Sequence, residues 1–144
     1  MMRPFGVPIA ILLLWGLVIT GCRSELVPSG QVAVYQGTQI VGRAEDFKLT
    51  DHHGAAVAPS DFRGRVVVLA FLDPKCTDVC PLTALNFRTV NEGLGPNAAS
   101  MVFLAVNVNS AVNSVDDMAA ATVKWGVDKL PNWHFLTGSE DELQ

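Results

Sequence analysis

The sequence predicts an α/β fold in which a central sheet is flanked by helices, and three observations support it. Residues 65–71 (RVVVLAF) and 101–108 (MVFLAVNV) are near-continuous apolar runs rich in β-branched side chains, the mark of strands buried on both faces. Residues 81–94 lie between them with helical spacing at Leu82, Leu85 and Val90, and Gly93, Gly95 and Pro96 stop the helix. Strand, helix and strand then form one crossover unit, with two parallel strands close together in one sheet. A cysteine pair, Cys76 and Cys80, sits where the first strand gives way to the helix. Open α/β sheets carry their working loops at that carboxyl edge.

The chain before the sheet divides into a leader and a spacer. Arg3 precedes an apolar stretch of about 15 residues, too short for a membrane span, so residues 1–21 read as an export signal. Leu17-Val18-Ile19-Thr20-Gly21-Cys22 resembles a bacterial lipobox, which makes Cys22 a lipid attachment point; the alternative is an uncleaved anchor with an incidental cysteine. Either way the domain is tethered at a membrane of the cell envelope, facing the periplasm or the exterior. Residues 22–43, with Pro28, Ser29, Gly30, Gly37 and one strand-like bit at 32–35, read as a membrane-proximal linker, and residues 44–144 as the domain. The balance of 10 basic against 14 acidic residues, without a basic run, excludes nucleic acid as a partner.

Within the domain, residues 47–51 alternate like a half-buried strand, and Asp51-His52-His53-Gly54 supplies a turn, so a first hairpin is expected. Residues 58–64 read as a short helical turn closed by Gly64. Ser114 to Asp117 opens a helix that runs through Trp125 and ends at Gly126. In residues 133–136 the alternation sets Trp133 and Phe135 on one face and His134 and Leu136 on the other. Ser139-Glu140-Asp141-Glu142 is a capping box for a helix that the chain does not go on to supply, so the sheet is expected to be incomplete at the C-terminus and the sequence to be a fragment or an early-terminated product.

Two thiols four positions apart, in a loop entering a helix, can close a disulfide, hold a soft metal ion, or shuttle between these states; a plain structural staple is the remaining alternative. With Pro81 at the first helical position, Cys80 stands at the helix N-terminus and Cys76 just before it. Unpaired N–H groups and the helix dipole lower a thiol pKa there, while Lys75 and Asp78 pull in opposite directions and leave the sign open. In an oxidising compartment the pair rests as a disulfide unless a reductant or a metal intervenes. His52 and His53, on a turn, are expected to be solvated, and His134 to be a satisfied or surface histidine rather than a ligand.

Four ordered landmarks run from about Phe47 to Gly138. They are Phe47-x-Leu49 before the His53-Gly54 turn, Asp61-Phe62-Arg63-Gly64-Arg65-Val66-Val67-Val68, Cys76-Thr77-Asp78-Val79-Cys80-Pro81, and Asn132-Trp133-His134-Phe135-Leu136-Thr137-Gly138. On these the chain resembles the Sco/SenC family of membrane-tethered, thioredoxin-like copper proteins that assist cytochrome c oxidase assembly. The resemblance implies a thioredoxin-like sheet, with Cys76 and Cys80 as sulfur ligands for copper and as a redox pair when metal is absent. It implies as partner the oxidase copper-site subunit or another copper protein, and a metallochaperone rather than a turnover enzyme. A thiol–disulfide oxidoreductase that reduces partner cysteines without metal is the alternative.

The chain departs from the family pattern at Thr77, where proline is usual, and at Asn107 and Asn109, where the family is rich in aspartate. The family's third ligand, a histidine, is expected beyond Gln144, and none of His52, His53 and His134 occupies its position. With two sulfur ligands the chain should bind Cu(I) better than Cu(II), which a complete Cys₂His site could also hold.

Overall fold

The computed structural model describes residues 37–143. The export signal, Cys22 and most of the linker lie outside the described residues. Arg43–Gln144 forms one compact unit.

The expected hairpin opens that unit. Strand β1 (Leu49–Asp51) pairs antiparallel with β2 (Ala56–Val57). The turn between them is set by Asp51, whose Oδ1 accepts from the backbone N–H of His53 and of Ala55, both at 2.9 Å. A short 3-10 helix, Pro59–Phe62, then leads into β3 (Val66–Leu72). Helix α1 spans Val79–Leu94, and a second 3-10 segment, Gly95–Ser100, returns the chain to β4 (Met101–Asn107). Helix α2 (Val115–Trp125) precedes β5 (Trp133–Thr137). Ser114 caps α2 by accepting from the Asp117 N–H at 3.1 Å, as the sequence pattern requires.

The sheet order is β2-β1-β5-β4-β3. Strands β3, β4 and β5 are parallel neighbours and β1 runs antiparallel to β5, so the predicted crossover unit is present. Strand alternation splits the core into two layers. On one face Phe103, Ala105, Trp133 and Phe135 meet Cys80 and Ala84 of α1 and Met118, Ala121 and Trp125 of α2. Aromatic stacking tightens this layer, with Phe87 over Phe103 at 4.8 Å and Trp125 over Phe135 at 5.4 Å between ring centroids. Leu49, Val57, Val102, Leu104 and Leu136 form the other layer, under Phe47 and Phe62. Trp133 and Leu136 thus take opposite faces, as the alternation of 133–136 predicts.

Three expectations are corrected. Strand β3 is an edge strand and not buried on both faces: Val66 is 57% and Phe71 65% exposed. A β-branched apolar run reports the preference of a strand for burial, whereas its place in the sheet depends on which strands pair with it. Helix α1 starts at Val79, two residues early, and Pro81 is its third residue; a missing N–H is harmless there because first-turn amides have no intrahelical partner. The apolar residues that mark this helix in sequence are not those it buries. Leu82, Leu85 and Val90 are exposed, whereas Cys80 and Ala84 are buried against the sheet in the helix-side core.

Two glycines separate backbone need from free space. Gly126 ends α2 at φ 70°, and a Cβ there would stand 2.9 Å from Arg88 Nη1. Gly93 lies inside α1 with nothing within 4 Å of its Cβ direction. Gly126→Ala should therefore lower unfolding free energy by about 1 kcal/mol or more, and Gly93→Ala should raise it by about 0.5–1 kcal/mol. Urea unfolding of the two variants checks this; shifts of the same sign would contradict it.

Candidate functional site

Strands β3 and β4 end level with each other, Leu72 opposite Asn107, and Val108 N–H donates to the Leu72 carbonyl at 3.1 Å to extend the pairing by one step. Two loops therefore leave the carboxyl edge side by side. In the first, Asp73 folds a tight turn. Its Oδ1 accepts from Lys75 N–H at 2.8 Å and its carbonyl from Cys76 N–H at 3.0 Å. The turn sets Cys76 against the first turn of α1, where Cys80 N–H donates to Cys76 Sγ at 3.4 Å. Asp78, at the N-cap position, makes no side-chain cap bond, so the Cys76 sulfur serves as an acceptor for the helix start.

The two sulfurs have unlike surroundings. Cys76 is half-buried, and Cys80 is 6% exposed and packed in the helix-side core. The Asp78 amide, then the Cys80 thiol and the Cys80 and Val79 amides, hold the Cys76 thiol below its ordinary pKa. Burial pushes the Cys80 thiol up; the Asp73 amide works against this, while the Cys76 thiol and the Asp73 charge add to it. The sign left open by the sequence is thus settled by geometry: Cys76 is the readier thiolate and Cys80 the better proton holder. Lys75 plays little part, because its ammonium turns to Asp117 Oδ1 at 3.4 Å on the exposed surface, where such a pair holds little energy.

The second loop is shaped by Asn107, which is buried at the end of β4. Its side-chain amide donates to the carbonyls of Asn109 and Val112 at 3.1 and 2.9 Å, and its Oδ1 accepts from Asn109 N–H at 2.9 Å. Thr137 of β5 fixes the far end of this loop by donating to the Asn113 carbonyl at 2.9 Å. The sequence marks this segment only by its place after a strand; the asparagine at the strand end, able to bond its own backbone two residues on, is the signal that names the scaffold.

No histidine joins the cysteines. His134 Nδ1 is 2.9 Å from Asp51 Oδ2, and its ring leans on Phe62. His53 is exposed on the turn, as expected. His52 is a correction: it is buried, not solvated, and its Nδ1 accepts from Phe135 N–H at 3.2 Å because the hairpin folds back onto β5. Burial, with His53 and His134 beside it, lowers its pKa to about 4 against the pull of Asp51, so the ring is neutral. Among the described residues no group of three or more His, Cys, Asp and Glu side chains could hold a metal ion. No helix among them is long and apolar enough to cross a membrane.

Residues 36–144 match the sequence model of the SCO1/SenC family. The chain belongs to that family. It is 30% identical over 119 residues to the mitochondrial SCO2 homolog of Bos taurus, an alignment covering 78% of this chain and 39% of that protein. Among solved structures, ScoI of Bradyrhizobium japonicum with copper bound matches with a TM-score of 0.61 at 23% identity, over 69% of this chain and 60% of that one. BsSco, described as having a disulfide switch and as a member of the Sco family of cytochrome c oxidase assembly proteins, matches with a TM-score of 0.58 at 19% identity, over 67% and 55%. The thioredoxin-like α/β class expected from the sequence is thus the fold of solved Sco proteins, and this chain spans 39–60% of the length of these relatives.

The neutral His52 gives the Sco/SenC domain a pH signature. Unfolded, the imidazole takes a proton below about pH 6.5; folded, it does so only near pH 4. The unfolded state therefore binds more protons in that window, and the stability present above it is lost as pH falls through it. Melting temperature should drop between about pH 6.5 and 4, and His52→Asn, which keeps an acceptor for Phe135 N–H, should flatten the slope. An unchanged slope in that variant would contradict the assignment.

Proposed function

We propose that this chain is a membrane-anchored copper-binding protein that serves assembly of the cytochrome c oxidase copper site, with Cu(I) held between Cys76 and Cys80. The observation that carries this reading is the pair of free cysteines at the N-terminus of α1, joined by the Cys80 N–H to Cys76 Sγ bond, with one half-buried and disposed to ionise and the other buried. Thiolates are soft donors suited to Cu(I), and a site with two sulfurs and, among the described residues, no gathered carboxylates or imidazoles disfavours harder ions. When bound, copper would supply a transferable ion at the protein surface. What the chain does is hold Cys76 where a partner can reach it and keep Cys80 fixed in the core. Copper bound to the Bradyrhizobium relative and the oxidase-assembly description of BsSco support the same reading. The lipobox-like run ending at Cys22 supports anchoring by lipid, facing the periplasm or the cell exterior.

The unequal thiols also support a second reading, a thiol–disulfide oxidoreductase that reduces partner cysteines without metal. A half-buried sulfur with a lowered pKa suits attack on a partner disulfide, and a buried neighbour suits resolution of the mixed disulfide.

Anaerobic titration with Cu(I) against a chromophoric chelator separates the two. One equivalent should bind. Cys76→Ser and Cys80→Ser should each weaken binding by more than the roughly 10–100-fold that loss of an outer-shell partner costs. Uptake that survives removal of both cysteines, or no uptake alongside brisk reduction of a disulfide substrate, would reject the copper reading.

A further inference from the structure

Asp73 Oδ1 accepts a second hydrogen bond besides the one from its own turn. Asn109 Nδ2 donates to it at 3.0 Å, across 36 positions of sequence. This is the side-chain hydrogen bond that joins the loop after β4 to the turn carrying Cys76. Asn109 is itself held, because Asn107 bonds both its N–H and its carbonyl, and Asn107 is buried in the sheet. A continuous set of bonds thus runs from the core through Asn107, Asn109 and Asp73 to the Cys76 N–H.

Cys80 cannot move far, since it packs against the sheet as part of α1. Any backbone shift that a change of state of the pair requires therefore falls on the turn at 73–76, and that turn is what Asn109 grips. We propose that Asn109 is a positioning residue for the dithiol, holding the Asp73 turn in the geometry of the reduced form and so setting the balance between dithiol and disulfide. The inference rests on the reading of Cys76 and Cys80 as the working pair, and it concerns their redox balance whether or not copper is the cargo.

The exchange to measure is balanced. The Cys76 and Cys80 thiols lose two protons and two electrons to form one S–S bond, while oxidised dithiothreitol is reduced to its dithiol. Acid-quenched alkylation at a series of dithiothreitol ratios gives the equilibrium constant for the full chain. Asn109→Ala should shift it toward the disulfide by about tenfold, equivalent to about 30 mV for a two-electron couple. Asn109→Asp, which sets two carboxylates against each other, should shift it at least as far. The double variant Asp73→Asn with Asn109→Asp removes the carboxylate repulsion but cannot rebuild both bonds at one oxygen, so it should fall between Asn109→Asp and the wild type.

A merely structural role would lower the melting temperature without this pattern of loss and rescue. An equilibrium constant for Asn109→Ala within twofold of the wild type, or a double variant displaced as far as Asn109→Asp, overturns the proposal. Should Asn109→Ala fail to melt cooperatively, Asn109→Ser takes its place with the same criteria. Failure of wild-type Cu(I) uptake would reject the copper reading and leave this comparison intact.

Discussion

The level ending of β3 and β4 is the constraint on which the site depends. Seven register pairs bring Leu72 opposite Asn107, so the loops that follow begin side by side. A slip of one residue would invert every side chain of β3 relative to the sheet, sending Leu72 out of the helix-side core and detaching the Asp73 turn from Asn109. Long-range apolar packing holds this register: Phe103 and Ala105 of β4 lie beneath α1 and α2, with Trp133 and Phe135 beside them. The helices that cover this face are also those whose first turns look toward the carboxyl edge, so the packing that stabilises the domain places the thiols.

From that constraint follows a division of roles between the two sulfurs. Cys80 belongs to the core as much as to the site, and its burial costs it ease of ionisation. Cys76 belongs to a turn, and the amides of the first helical turn stabilise its negative charge. A partly exposed, readily ionised sulfur beside a fixed one can be approached by a partner without disturbing the sheet. Both ion transfer and disulfide exchange need that arrangement.

Much of this was legible in the sequence where the signal is local. The Asp51-His52-His53-Gly54 turn, the Ser114 cap, the alternation of Trp133 to Leu136 and the Ser139–Glu142 contact each depend on residues a few positions apart. Apart from the start of α1 at Val79, the misreadings share the opposite property. Whether β3 lies at the edge is decided by strand pairing, and which stripe of α1 is buried is decided by the sheet beneath it. Burial of His52 is decided by the return of β5 to the hairpin. The Asn109–Asp73 bond spans two loops and leaves no trace in spacing; the substitution of asparagines for the family's aspartates was visible, but not what they hold.

The central physical claim is that the amides of the α1 start lower the Cys76 pKa while burial raises that of its neighbour Cys80. Carbon NMR of the Cβ atoms of Cys76 and Cys80, followed through a pH titration of the reduced chain, measures it directly. Cys76 should ionise first, below the ordinary thiol value, and Cys80 only above it. Ionisation in the reverse order, or of both cysteines together at the ordinary value, would contradict the claim.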